Sequence, residues 1–170
     1  NELEKNLGAY NSKSKKKIVD KRKQLIVKTL GRSNVYLESN KFLRLFSDRD
    51  IINEPKNNEL DLSSNGSGAT NIIRNYILNS SKDRNVIQKT LLNELNEIFN
   101  PDVNFNEITV QEIENTDKYE IYLGEKNKGI IPLSKSGSGL KTVILVLLNL
   151  LVVPEITERE VSQFLYGFEE

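Results

Sequence analysis

Apolar positions along this chain change period several times, and each change predicts an element. Residues 1–30 are polar and helix-permissive; Ile18, Leu25, Ile26 and Leu30 mark the only apolar spacing near a basic run. Val35, Tyr36, Leu37, Phe42, Leu43, Leu45 and Phe46 predict a short strand or helix that reaches the core. Arg49 to Pro55 reads as a charged turn. The Asn/Ser/Gly-rich stretch 56–70 reads as a loop. Ile72, Ile73, Tyr76 and Ile77 predict a helix from Thr70 to Leu78. Ile87, Leu91, Leu92, Leu95, Ile98 and Phe99, spaced by three and four, predict a second from about Asp83 to Phe99. Asn100-Pro101-Asp102 stops it.

From Phe105 to Leu133 the period shortens towards two. Ile108 and Val110 alternate with polar residues, as do Tyr119, Ile121 and Leu123. Turns at Asn115-Thr116-Asp117 and Glu125–Gly129 divide this into a three-stranded meander ending at Ile130-Ile131. A Ser/Gly loop, an apolar helix over 139–152, a stop at Pro154, a short polar helix over 157–163 and a final strand complete the pattern. The expected fold class is mixed α/β.

The most apolar stretch, Val143 to Val153, has eleven residues and includes Asn149. A spanning helix needs about 20. The stretch is therefore expected to be a buried helix. With no signal peptide in view, the chain is expected to be cytosolic and to have no membrane partner.

Charge alters the picture by its placement, not its sum. Lys+Arg and Asp+Glu are 24 each over 170 residues. Residues 1–32 hold ten Lys/Arg against three acids, a local net of +7; residues 155–170 hold five Glu against Arg159, a net of −4. Such a basic run is a solvated face or a surface for a polyanion such as DNA. Absent residue types exclude whole chemistries. With no Cys there is no disulfide framework and no thiolate-bound metal. With no His there is no His triad, His-ligated zinc or His general base. Acid–base work falls to carboxylates, Lys or Tyr. The chain also lacks Met, starts at Asn1 and stops on Glu170 within its most distinctive motif. This leads to the expectation of an internal piece of a longer polypeptide.

Two segments carry candidate chemistry. In Leu133–Thr142, Gly137 and Gly139 let backbone amides converge, and Ser134, Ser136 and Ser138 offer hydroxyl donors. The helix that follows aims its dipole and free N–H groups into the same space, and Lys141 adds charge. This suits a phosphate; a flexible capped linker is the plainer alternative. In Phe164–Glu170 an apolar strand ends in Glu169-Glu170. One acid there suits magnesium and its neighbour a polarised water; an ordinary strand running into an acidic loop is the alternative. Asn65–Asn71 superficially has a phosphate-loop look, but Ala69-Thr70 stand where Lys-Ser/Thr is needed. It reads as a turn with Thr70 or Asn71 as helix cap.

Taken together, Ser134–Thr142, the apolar helix behind it and Phe164–Glu170 resemble the signature motif and Walker B strand of ABC-type ATPase heads within the AAA-family ATPases. The nearest likeness is to the RecF/SMC-like and OLD-like ATPases of DNA repair and bacterial phage defence. Arg49-Asp50-Ile51 with Glu54-Pro55, and Asn65–Asn71, look like the middle region of the same group, so the likeness covers about residues 40–170.

The resemblance implies part of a P-loop ATPase head over 33–170, with 1–32 belonging to a helical insertion able to touch DNA. It implies ATP and Mg2+ as cofactors. Ser134, Ser136, Gly137, Ser138, Gly139 and Lys141 would face nucleotide held by a second protomer. Glu169 would be the magnesium-side acid and Glu170 the general base. DNA and a nuclease are the implied further partners. The chain departs from the family in carrying Glu169 where Asp is usual. It also has no Gly-x-x-x-x-Gly-Lys-Ser/Thr loop, so alone it is expected to be inactive as an ATPase. The alternative is a non-catalytic interaction or DNA-binding module.

Overall fold

A computed structural model describes residues 41–126 and 128–169. The basic segment 1–32 and the proposed base Glu170 lie outside the described residues, so the expectations for them are neither met nor contradicted.

The fold is mixed α/β. Strand β1 (Lys41–Leu45) pairs with the last strand β6 (Phe164–Phe168) in a two-stranded sheet. The expected meander is present as β3 (Phe105–Glu112), β4 (Lys118–Glu125) and β5 (Gly129–Pro132). All its pairings are antiparallel, and β4 is central. A two-residue strand, β2 (Glu54–Pro55), extends β4's other edge by pairing with Tyr119 and Lys118. Sequence reading placed these two residues in a turn. They carry no alternating pattern because two residues cannot show one, and Pro55 fits at an edge where no amide is required.

Alternation sorts the sheet. Register Ile108↔Leu123 and Val110↔Ile121 sets four apolar side chains on one face, all buried. Helix α1 (Ala69–Leu78) packs on that face together with α2, a π-helical turn Val86–Leu91 that runs into the α-helix Leu92–Phe99. Ile87, Leu91 and Leu95 are fully buried and four residues apart. Four residues of α-helix overshoot one turn by about 40°. The wider turn drifts the other way, so the three side chains stay in line. Asn96 locks α2 to β3 by donating to the Phe105 carbonyl and accepting its amide, both at 2.7 Å.

The apolar helix, α3, differs from expectation. It runs unbroken from Ser138 to Thr157, with a π-helical stretch Leu148–Val152. Pro154 does not stop it. The proline lies in the first turn after the π-helical stretch, where bonding returns to the i→i+4 pattern and one carbonyl is left without an amide to receive. The helix ends instead at Glu158, in the left-handed region at φ 53°. There Arg159 N–H donates to the Pro154 carbonyl at 3.0 Å. The predicted polar helix over 157–163 is only a short 3-10 turn, Val161–Gln163. At 20 residues and a mean hydropathy of 1.9, α3 is long and apolar enough to cross a membrane, beyond the eleven-residue estimate. In this fold Ile144, Leu145, Leu147, Leu148 and Val152 are spent on the core.

Candidate functional site

The loop before α3 is built by its neighbours. Leu133, buried, anchors a 3-10 turn Leu133–Lys135 just after β5. Ser136 N–H closes that turn on the Leu133 carbonyl at 3.0 Å. Ser136 and Gly137 are then extended, and α3 starts at Ser138 with no side chain capping it. The first amides of a helix have no intrahelical acceptor, so this end presents donors outward. Gly137, Ser138 and Gly139 are exposed. A methyl group added at Gly137 or Gly139 would meet no described residue within 4 Å. Among the described residues neither packing nor backbone angle demands glycine at these two positions, and none of them covers the loop.

Two of the residues expected in this space are engaged elsewhere. Ser134 Oγ donates to the carboxylate of Glu120, which is buried on β4. Tyr122 donates to the same carboxylate at 3.2 Å, and its phenol is pushed up by burial and then by the charge of Glu120. Ser134 therefore faces the sheet, because the 3-10 turn directs it back towards β4. Lys141 Nζ lies 2.9 Å from Asp50 Oδ1, and its side chain is only 12% exposed. Its charge is held by the protein.

At the other motif, Phe164 is buried and stacks on Tyr166 at 6.1 Å. Tyr166 OH donates to the Asn149 carbonyl at 3.1 Å, fastening β6 to α3. Burial pushes the Tyr166 phenol up. Glu169 N–H continues the pairing to the Leu45 carbonyl at 3.0 Å, and its carboxylate forms an ion pair with Arg44. Magnesium is commonly held by one or two carboxylates with the rest supplied by phosphate and water. Among the described residues no group of three or more acids could hold a metal ion. Glu169 thus fits magnesium only as a single protein ligand to an ion that arrives with its phosphates, after parting from Arg44.

The other Ser/Gly loop, Asn65–Asn71, is filled. Glu54, buried on β2, accepts from Gly68 N–H and Ser67 Oγ through one oxygen. Through the other it accepts from Asn71 N–H and Asn71 Nδ2 at 3.1 and 3.2 Å. A carboxylate sits where the start of α1 would place an anion. Helix α1 therefore begins at Ala69 behind Gly68, with no capping side chain of its own. Thr70 and Asn71, expected as caps, lie inside the helix. The capping group comes from fifteen or so residues upstream, where a local pattern does not reach. Beside it opens a cleft of about 450 Å³ whose lining, among the described residues, includes Glu54, Glu59 and Asp61 against the single cation Lys118, an acidic balance unsuited to phosphate.

A short segment links the two motifs. Asp50 receives Lys141 from α3; its neighbour Arg49 donates through Nη1 to the Phe46 carbonyl at 2.6 Å and to the Glu169 carbonyl at 3.3 Å. Arg44, Arg49, Asp50 and Glu54 are the residues that sequence reading did not place in a site. Arg49-Asp50 and Glu54-Pro55 stood out as a charged turn and as part of the family resemblance, and nothing local announces the distant partners of Arg49 and Asp50, Glu169 and Lys141. No family model, curated protein or solved structure matches this chain.

Proposed function

We propose that this chain supplies the signature loop and the carboxylate strand of an ABC-type ATPase head, within the P-loop class. Its Walker A loop would come from outside this sequence, and a second protomer would complete the site. The observation that carries the reading is the loop Ser136–Gly139: an uncapped helix start with two glycines that the fold does not itself require, tied to the strand end at Glu169. Its chemistry is electrostatic. Amides of Ser138 and Gly139 and the hydroxyls of Ser136 and Ser138 would bind and orient a terminal phosphate, while Glu169 would face the metal. Magnesium, when bound with nucleotide, neutralises developing phosphate charge. Glu170 would accept the proton of the attacking water. Ser134 and Lys141 have supporting roles in this scheme, through Glu120 and Asp50. The parent would act on DNA, with a nuclease as partner in phage defence, in the cytoplasm.

A second reading draws on a specific observation. Two of the charged groups expected at the nucleotide site are paired internally, Lys141 with Asp50 and Glu169 with Arg44. That favours a non-catalytic interaction module. One experiment separates the two: ATP turnover by the natural polypeptide that carries this sequence, with Ser136→Arg and Glu170→Gln. The ATPase reading expects Ser136→Arg to abolish ATP-dependent association and Glu170→Gln to slow single-turnover hydrolysis by roughly 100-fold or more. Turnover within a few-fold of wild type for both would leave the interaction module standing.

A further inference from the structure

We infer that Arg49-Asp50 is a positioning link that couples the Ser136–Gly139 loop to the strand end at Glu169. The segment Phe46–Ile51 is held from three directions. From α3, Lys141 reaches Asp50 Oδ1 at 2.9 Å. Lys141 lies in the first turn of α3, and helical side chains lean towards the N-terminus, so a shift of the loop is passed to Asp50 directly. Just past the end of β6, the Glu169 carbonyl takes the Arg49 guanidinium at 3.3 Å. From the loop before α1, Asn65 accepts the Asp50 amide at 2.9 Å and Ser64 accepts the Phe46 amide at 2.9 Å.

This third contact makes the link stiff. Gly66 lies so close that a Cβ there would stand 2.1 Å from the Asp50 carbonyl oxygen. The dipeptide cannot yield towards that loop. Displacement of Lys141 must then pass along the planar peptide to Arg49. Among the described residues the guanidinium also retains an unused donor: Arg49 Nε is buried and makes no hydrogen bond to them. An unpaired buried donor is costly, and a small shift of the strand end can offer it an acceptor. The Asp50 carboxylate is anchored too, accepting the Ile51 amide at 2.8 Å. Arg49 and Asp50 touch no reacting group; they act through Lys141 and Glu169. The significance of these two ends for catalysis rests on the ATPase reading, whereas the coupling itself does not.

The test is amide hydrogen exchange on the purified chain without nucleotide. Lys141→Met keeps the apolar stem and removes the charge. The expected result is exchange about fivefold faster at the first hydrogen-bonded amides of α3, from Lys141 onward, and also at Glu169 and along β6, the size of one partly buried ion pair. Asp50→Asn, which is isosteric, should give the same pattern at smaller amplitude. The Asp50→Lys, Lys141→Asp exchange of charges should return Glu169 towards wild type. Faster exchange confined to α3, with Glu169 unchanged in both single variants, overturns the link and shows a local cap only. A nucleotide titration of the natural polypeptide that carries this sequence is read separately. No response to nucleotide with coupled exchange intact removes the ATPase reading and leaves the link; the reverse pattern removes the link and leaves the ATPase reading.

Discussion

Two Ser/Gly loops of nearly the same composition open the two most buried helices among the described residues, and they have opposite fates. The loop before α1, Asn65-Gly66-Ser67-Gly68, is turned inward. Gly66 and Gly68 have φ of 95° and 92°, a region costly for any side chain, and Glu54 occupies the anion position. The loop before α3, Ser136-Gly137-Ser138-Gly139, lies in ordinary extended and helical backbone, is uncapped and faces open space. Glycine before α1 serves the backbone, whereas glycine before α3 meets none of the described residues. A helix start becomes available to a ligand when the protein has not already supplied the ligand's charge.

The contrast is broken most forcefully at the glycines. Gly66→Ala and Gly68→Ala would each set a methyl group about 2 Å from a backbone carbonyl oxygen, at Asp50 and Asp61 respectively. Each should cost about 3 kcal/mol in urea unfolding. Gly139→Ala should instead gain about 0.5 kcal/mol, since alanine favours helix. Losses of equal size in both loops would erase the distinction.

Glu54→Ala comes next. It strands the amides of Gly68 and Asn71, which are hydrogen-bonded to Glu54 in the native protein, and should destabilise by about 2 kcal/mol. An unchanged urea midpoint would show that the carboxylate does not fill the loop.

A smaller effect sharpens the picture at the far ends of the same helices. Tyr76 on α1 donates to Glu155 on α3 at 3.1 Å. Burial first, then the charge and hydrogen bond of Glu155, raise its phenol well above 10.0. The raised group holds its proton more tightly when folded. Its contribution is full below pH 10 and falls as pH rises above that value, where only the unfolded phenol ionises. Tyr76→Phe should cost about 1 kcal/mol at pH 8, and the gap from wild type should narrow by pH 11. A gap that widens with pH contradicts the sign.

Much of this architecture was legible because it is periodic. The alternation at Ile108, Val110, Ile121 and Leu123 marked the sheet, and the spacing of Ile87, Leu91 and Leu95 marked α2. Pro154 misled because its effect depends on the π-helical stretch before it, which has no known sequence signature. The short strand Glu54–Pro55 and the cap it provides were hidden because their partners are distant in sequence. Of the candidate site, the bareness of Gly137 and Gly139 fits the composition of the loop. The engagement of Ser134 by Glu120, of Lys141 by Asp50 and of Glu169 by Arg44 depends on which charges the fold brings side by side.

The most direct test of the open-versus-filled distinction is a titration of the isotopically labelled chain with magnesium–ATP, followed by amide chemical shifts. Without a Walker A loop the affinity should be weak, in the range of about 1 mM. The amides of Ser136 to Leu140 should move with added nucleotide while those of Gly66 to Asn71 stay fixed. Shifts at Gly66 to Asn71 with Ser136 to Leu140 silent, or no shifts in either loop, would contradict that distinction.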